Sequence, residues 1–232
     1  MKLELLDAYN IRARLSASII LLAPIALTVF LCFEDATSIA SSSVLILVLL
    51  AFTNYLPILQ RRIYEDRIPF VNYASIFLAK DDTTLDQISK KRYYGVLAKK
   101  DPTFAPFEHP DDSEAFRRCC DSAVIYLKNH TRGNHLVQEE NINYGFCRNL
   151  LANKAVGIVL CITFGGITAG YSWLKYKSFS AIPVQNYLAF AANFLLLLFW
   201  IFGVTKQTLK STAVRYAKTL LSAIDSLENV KE

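Results

Sequence analysis

Four long apolar runs dominate this chain, residues 15–33, 39–59, 155–174 and 184–204, and none holds a charged side chain. Each is close to the ~20 residues that a helix rising ~1.5 Å per residue needs to cross a hydrocarbon core of ~30 Å. A core helix of a water-soluble domain is usually shorter and carries a polar face, so four such runs read as membrane spans. Hydrophobic residues make up 53% of the chain, and the mean hydropathy is +0.28. The expected fold is all-α: a polytopic membrane protein with four transmembrane helices, two plus two, around a mostly helical cytoplasmic insert. The expected segments are 1–59 (N-terminal segment and first hairpin), 60–154 (insert), 155–204 (second hairpin) and 205–232 (an amphipathic cytoplasmic helix).

Lys2, Arg12 and Arg14 precede the first run, as in a signal peptide. The run is longer than a usual signal core, however, and Cys32-Phe33-Glu34-Asp35 stands where small residues would mark cleavage. It reads as a retained helix, with Pro24 a possible kink. Orientation follows the distribution of Lys and Arg. Three lie in the N-terminal segment, fifteen between the second and third runs and five in the tail, against none in 34–40 and two in 175–183. Both termini and the insert are therefore expected in the cytoplasm.

The insert is too long for a connector, since ordered loops rarely exceed ~12–15 residues, and its twelve aromatic residues can build a core. A first helix is expected from about Thr84, with Leu85, Ile88, Val96 and Leu97 on one face, ending before Asp101-Pro102. A second starts at Asp112 or Ser113 with Phe116, Cys120, Ala123, Val124 and Leu127 inward. Gly133-Asn134 breaks it. The third, from Leu136 to Lys154, has acidic residues early and basic ones late, which suits the helix dipole, and is expected to run into the third span. In the tail, Leu209, Ala213, Tyr216, Leu220, Ile224 and Leu227 recur at helical steps. That stripe is expected to continue the fourth span and to pack against the insert, with a subunit contact or the lipid surface as alternatives.

No glycine-rich phosphate loop, HExxH, GxSxG or CxxC pair is present, so no enzyme and no cofactor are expected. Asp81-Asp82 and Asp111-Asp112 resemble carboxylate dyads but sit in turns, where they serve as caps. Cys32, Cys119, Cys120, Cys147 and Cys161 are expected to be free thiols of a reducing compartment. His109, His130 and His135 are scattered, so no metal site is expected.

The insert has fifteen basic and thirteen acidic residues, too even a balance for nucleic-acid binding. A small anionic trigger is the sharper candidate. Arg92, Arg117, Arg118 and Arg148 could pair with phosphates, and Tyr93 and Tyr94 could stack on bases. The plainer alternative is a set of basic helix faces near an anionic leaflet. In the third span Gly166 and Gly170 form a GxxxG step, a surface for close helix packing within or between subunits. Asn54, Thr163 and Asn193 are the polar candidates at mid-membrane. No span carries a charge, which argues against ion-coupled transport.

The segment Glu139-Glu140-Asn141-Ile142-Asn143-Tyr144-Gly145-Phe146-Cys147-Arg148-Asn149 enters a membrane helix. This segment, the tail around Val204-Thr205-Lys206 and Tyr216-Ala217-Lys218, and the two-plus-two layout resemble bacterial four-transmembrane effectors of antiphage systems that use nucleotide second messengers. The resemblance implies an effector of the bacterial inner membrane that, once activated during infection, permeabilises or depolarises it; a homo-oligomer is expected because four packed helices fill their own centre, which leaves conduction to run between subunits. The resemblance also implies a nucleotide second messenger or a cytoplasmic partner protein as trigger. A membrane-anchored scaffold recruiting such a partner, and a small constitutive channel, are the competing readings.

Overall fold

The computed structural model describes residues 8–32, 51, 71–111 and 113–227. Apart from residue 51, the second apolar run, residues 39–59, lies outside the described residues, as does Asn54. Every described element is helical. Three described helices are long and apolar enough to cross a membrane: Asn10–Cys32 (23 residues), His135–Tyr176 (42 residues) and Val184–Gly203 (20 residues).

A π-helical segment, Asn10–Leu15, leads into α1, Ser16–Cys32, which runs on through Pro24. Next come α2, Tyr73–Leu78, and α3, Gln87–Lys100. A 3-10 segment, Pro102–Glu108, leads to α4, Glu114–His130, and then to α5, His135–Tyr176. A 3-10 turn at Phe179–Ala181 leads to α6, Val184–Leu198, which ends in a second π segment, Phe199–Gly203. The chain closes with α7, Lys206–Ser222, and α8, Ile224–Leu227.

Local chemistry sets these boundaries. The Asp86 carboxylate accepts from Ser89 N at 2.8 Å and starts α3, the N-cap geometry that satisfies an orphan donor of the first turn. Ser113 Oγ does the same for Phe116 N at 3.1 Å. Asn134 Oδ1 accepts from Leu136 N at 3.0 Å and Val137 N at 3.2 Å, starting α5 where the sequence shows Gly133-Asn134. Asp82 and Asp111 tighten the turns ahead of these helices, accepting from Thr84 N and Ser113 N. At the far end of α5, Lys177 has φ 52°, the left-handed conformation that ends a helix.

The chain divides into two compact units. The aromatic unit comprises described residues 71–111, 113–144 and 210–227; the spanning unit comprises 8–32, 51 and 145–209. The chain passes between them inside α5, after Tyr144, and inside α7, after Leu209.

The core of the aromatic unit joins Phe77, Tyr94, Leu97, Phe104, Phe107, Phe116, Cys120 and Leu127 to the tail residues Ala217, Leu220, Leu221 and Ile224. Tyr94 stacks on Phe107 at 5.2 Å between centroids, and Phe107 meets Phe116 edge-on at 5.4 Å. Such ring pairs add about 0.5–1.5 kcal/mol beyond the area they bury. The tail therefore packs on the insert, as its apolar stripe indicates. Arg215 to Glu140 at 2.5 Å and Tyr144 stacked on Tyr216 hold its outer edge.

The tail does not continue α6 as one helix. The backbone turns extended at Val204, and Thr205 Oγ1 caps a new start by accepting from Thr208 N at 3.1 Å.

Candidate functional site

The aromatic unit holds a cleft of about 650 Å³ lined by Val71, Asn72, Ser75, Ile76, Ala79, Asp81, Asp82, Thr83, Arg117 and Asp121. α2 supplies one wall, α4 the other, and the turn 79–83 the lip. Lys90 fixes that turn from below. It is buried, 1% exposed, and its ammonium donates to Ala79 O at 2.7 Å and Asp82 O at 2.5 Å. Burial pulls the Lys90 pKa below its ordinary value, while Asp82 and Asp81 pull the other way. On the opposite wall, Asn72 Nδ2 donates to Asp121 at 3.1 Å and orients that carboxylate. Arg117 Nη2 lies 4.0 Å from Asp81, with both side chains more than half exposed.

Of the six residues singled out as an anionic-ligand set, only Arg117 lines this cleft. Arg92 makes a two-pronged contact with Asp225 of the tail, at 2.8 and 2.9 Å. Arg118 pairs with Glu114 one turn away at 2.6 Å. Arg148 belongs to the spanning unit. Tyr93 and Tyr94 are 6% and 7% exposed, so no open ring face is left for a base. Tyr94 Oη donates to Leu78 O at 2.5 Å, and burial pushes its pKa up. Burial also raises the neighbouring thiols, Cys120 to about 12, which keeps them protonated at neutral pH.

The spanning unit has a different construction. One face of α5 carries Asn149, Asn153, Gly157, Cys161, Thr168 and Ser172, all buried and mostly four residues apart. At mid-span, Asn193 Nδ2 donates to Thr28 Oγ1 at 3.1 Å, and Thr28 lies 3.2 Å from Thr168 Oγ1. Thr168 passes the chain on to Phe164 O at 2.9 Å. Three helices are thus joined by one polar relay, with Asn193 Oδ1 meeting no hydrogen-bond partner among the described residues. Asn186 donates to Ser172 at 2.8 Å in the same seam.

Lower on α5, the seam grips both π segments. Asn149 Nδ2 donates to Ala13 O at 2.7 Å. Lys154 Nζ donates to Ile201 O at 2.9 Å and Val204 O at 2.8 Å, placing a cation on carbonyls that the end of a helix leaves unpaired. A Cβ at Gly157 would overlap the indole of Trp200, and one at Gly145 would lie 2.5 Å from Tyr9 Oη.

Gly166 and Gly170 have open space where a Cβ would stand, and together with Thr163 they face outward. Only the neighbouring Gly165 turns towards Asn193, 3.8 Å from its Cβ. Sequence reasoning found Asn193 but missed Thr28, Thr168, Asn149 and Lys154. Asn149 and Asn153, four apart at the edge of an apolar run, were the visible signal. No family model, no curated protein and no solved structure matches the chain.

Proposed function

We propose that this chain is an inner-membrane effector of bacterial antiphage defence. Its aromatic unit receives a signal in the cytoplasm, and its spanning unit, as a homo-oligomer, permeabilises or depolarises the membrane. The observation that carries this reading is α5. Its 42 residues form one helix that begins among the aromatic core and ends as an apolar span. Two arrangements of the aromatic unit would change that helix, provided a ligand binds one of them better.

The buried seam of α5 is filled by its own partners, Thr28, Asn193 and Trp200. A conducting path is therefore expected between subunits, with the outward face of Thr163, Gly166 and Gly170 as a surface where backbones can approach closely. The full topology in this reading has four spans with both termini cytoplasmic, following the distribution of Lys and Arg.

The test uses bacteria expressing the chain and loaded with a potential-sensitive dye, followed before and during phage infection. Loss of membrane potential ahead of lysis in infected cells, absent from cells without the chain, is expected. An unchanged potential across a broad phage panel would overturn the reading. The scaffold alternative draws on Ile88, Ile125 and Leu136, which are 80%, 62% and 68% exposed on the aromatic unit. It predicts co-purification of a cytoplasmic protein with no change in potential.

A further inference from the structure

We infer that the cleft of the aromatic unit binds a cationic group, an ammonium or guanidinium on an apolar stem, and that Arg117 holds this place in the free protein. This rests on the reading of the aromatic unit as the receiving part of the molecule, and it reverses the anionic ligand that the arginines bring to mind. Charge is the first argument. Among the described residues, Asp81, Asp82 and Asp121 line the cleft beside the Arg117 guanidinium, so a phosphate would meet three carboxylates to reach Arg117.

The second argument is division of labour among the carboxylates. Asp82 is engaged with Thr84 N at 2.8 Å and Thr84 Oγ1 at 3.1 Å and serves the turn. Asp121 is aimed by Asn72, and among the described residues Asp81 pairs with the loosely held Arg117. An exposed pair at 4.0 Å contributes little and is easily exchanged for a better-placed cation. Arg117 is thus a guanidinium already seated beside Asp81, marking the kind of group that the cleft accepts.

The third argument is shape. Val71 and Ile76, 39% and 44% exposed, give the cleft an apolar wall in contact with water. Its volume of about 650 Å³ lies in the range of small-ligand sites, which combine apolar walls with a few placed polar groups. Among the described residues no three His, Cys, Asp or Glu side chains converge as metal ligands.

The lip is also preset. Lys90 holds Ala79 and Asp82 through their carbonyls, so Asp81 is presented without waiting for a ligand. A cation bound between Asp81 and Asp121 would favour whichever arrangement of α4 and the turn 79–83 sets the two carboxylates at its own spacing.

The test is calorimetric titration of the detergent-purified full chain at low ionic strength. The probes are agmatine for a free cation, an acetylated leucine–arginine–leucine amide for a protein side chain, and ATP and a cyclic dinucleotide for the anionic reading. Binding of either cationic probe is expected, about tenfold weaker in the double variant Asp81→Asn, Asp121→Asn and about threefold tighter in Arg117→Gln, which removes the internal competitor. Agmatine alone binding identifies a small free cation, and the peptide alone binding identifies a partner's basic side chain; both support the inference. Arg117→Gln changes one exposed side chain, so it remains informative if the double variant unfolds. The inference is overturned if the anionic probes bind and Arg117→Gln abolishes that binding. It is equally overturned if cation binding ignores the aspartates, or if no cationic probe binds at millimolar concentration. Binding is read without a membrane, so a bound cation with no depolarisation would fail the proposed effector function and leave the site standing.

Discussion

In the aromatic unit Phe116, Leu127 and Leu220 are buried while Arg92, Arg118 and Arg215 reach outward to Asp225, Glu114 and Glu140. In the spanning unit Ile162, Phe194 and Leu195 face outward, 58%, 51% and 64% exposed, while Asn149, Thr168 and Asn193 are buried at 1% each. The same chain thus uses opposite rules for inside and outside. Water drives apolar groups together in the first unit. In the second, lipid tails offer no such drive, and packing of small residues and interhelical hydrogen bonds take over. The two kinds of interior should therefore fail differently when cut.

The largest effect is expected in the aromatic core. Phe116→Ala removes a ring 1% exposed that touches Tyr94 and Phe107, and should cost about 3–5 kcal/mol. Thermal melting followed by circular dichroism on the purified full chain would show it, as early loss of part of the helix signal. Lys90→Met comes next. It strips the donor from two carbonyls beneath the turn 79–83 and should cost about 1–3 kcal/mol, with protease cutting near residue 80 as the local readout.

In the spanning unit Gly157→Ala drives a methyl group into Trp200 and should cost about 1–3 kcal/mol as overpacking. Both tryptophans of the chain, Trp173 and Trp200, lie in this unit, so indole emission reports it separately. A shift in emission with an unchanged aromatic-unit melt would sharpen the division between the units; simultaneous loss of both would break it. Asn193→Leu cuts the relay to Thr28 and should cost only about 0.6–1.7 kcal/mol, the range of hydrogen bonds between membrane helices.

Gly166→Ala stands last. No described residue lies within 4 Å of the added methyl, so the subunit itself should change by no more than about 0.5 kcal/mol. Subunit number, read by mass photometry, should fall if this face joins subunits in the proposed oligomer.

The sequence made α4 legible because its inward residues, Phe116, Cys120, Ala123, Val124 and Leu127, follow a helical period set by one buried face, and all five are buried. Ile88 shows the limit. It was placed inward with Leu85, yet the Asp86 cap starts the helix at Gln87, which leaves Ile88 in the first turn, 80% exposed, and turns Lys90 inside. A buried lysine is invisible to periodicity because its partners are carbonyls that a neighbouring turn supplies.

The arginines show a similar limit. Arg92 looked available until the fold brought Asp225 to it from 133 residues away. At mid-span, Asn193 stood out against its apolar run, while Thr28 and Thr168 did not, since hydroxyls are common in spans and their value lies in pairing across helices. The apolar lengths announced three helices long enough to span a membrane; which side chains meet between them depended on helix rotation, which apolar runs do not encode.

The proposal joining these observations is that α5 links a water-solvated unit on the cytoplasmic side to a lipid-solvated one. A reporter active only in the periplasm, fused after Lys100 in one experiment and inserted at Ser178 in another, tests it most directly. The account predicts silence after Lys100 and activity at Ser178. Activity after Lys100, or silence at Ser178 in a protein that is made and inserted, would contradict it.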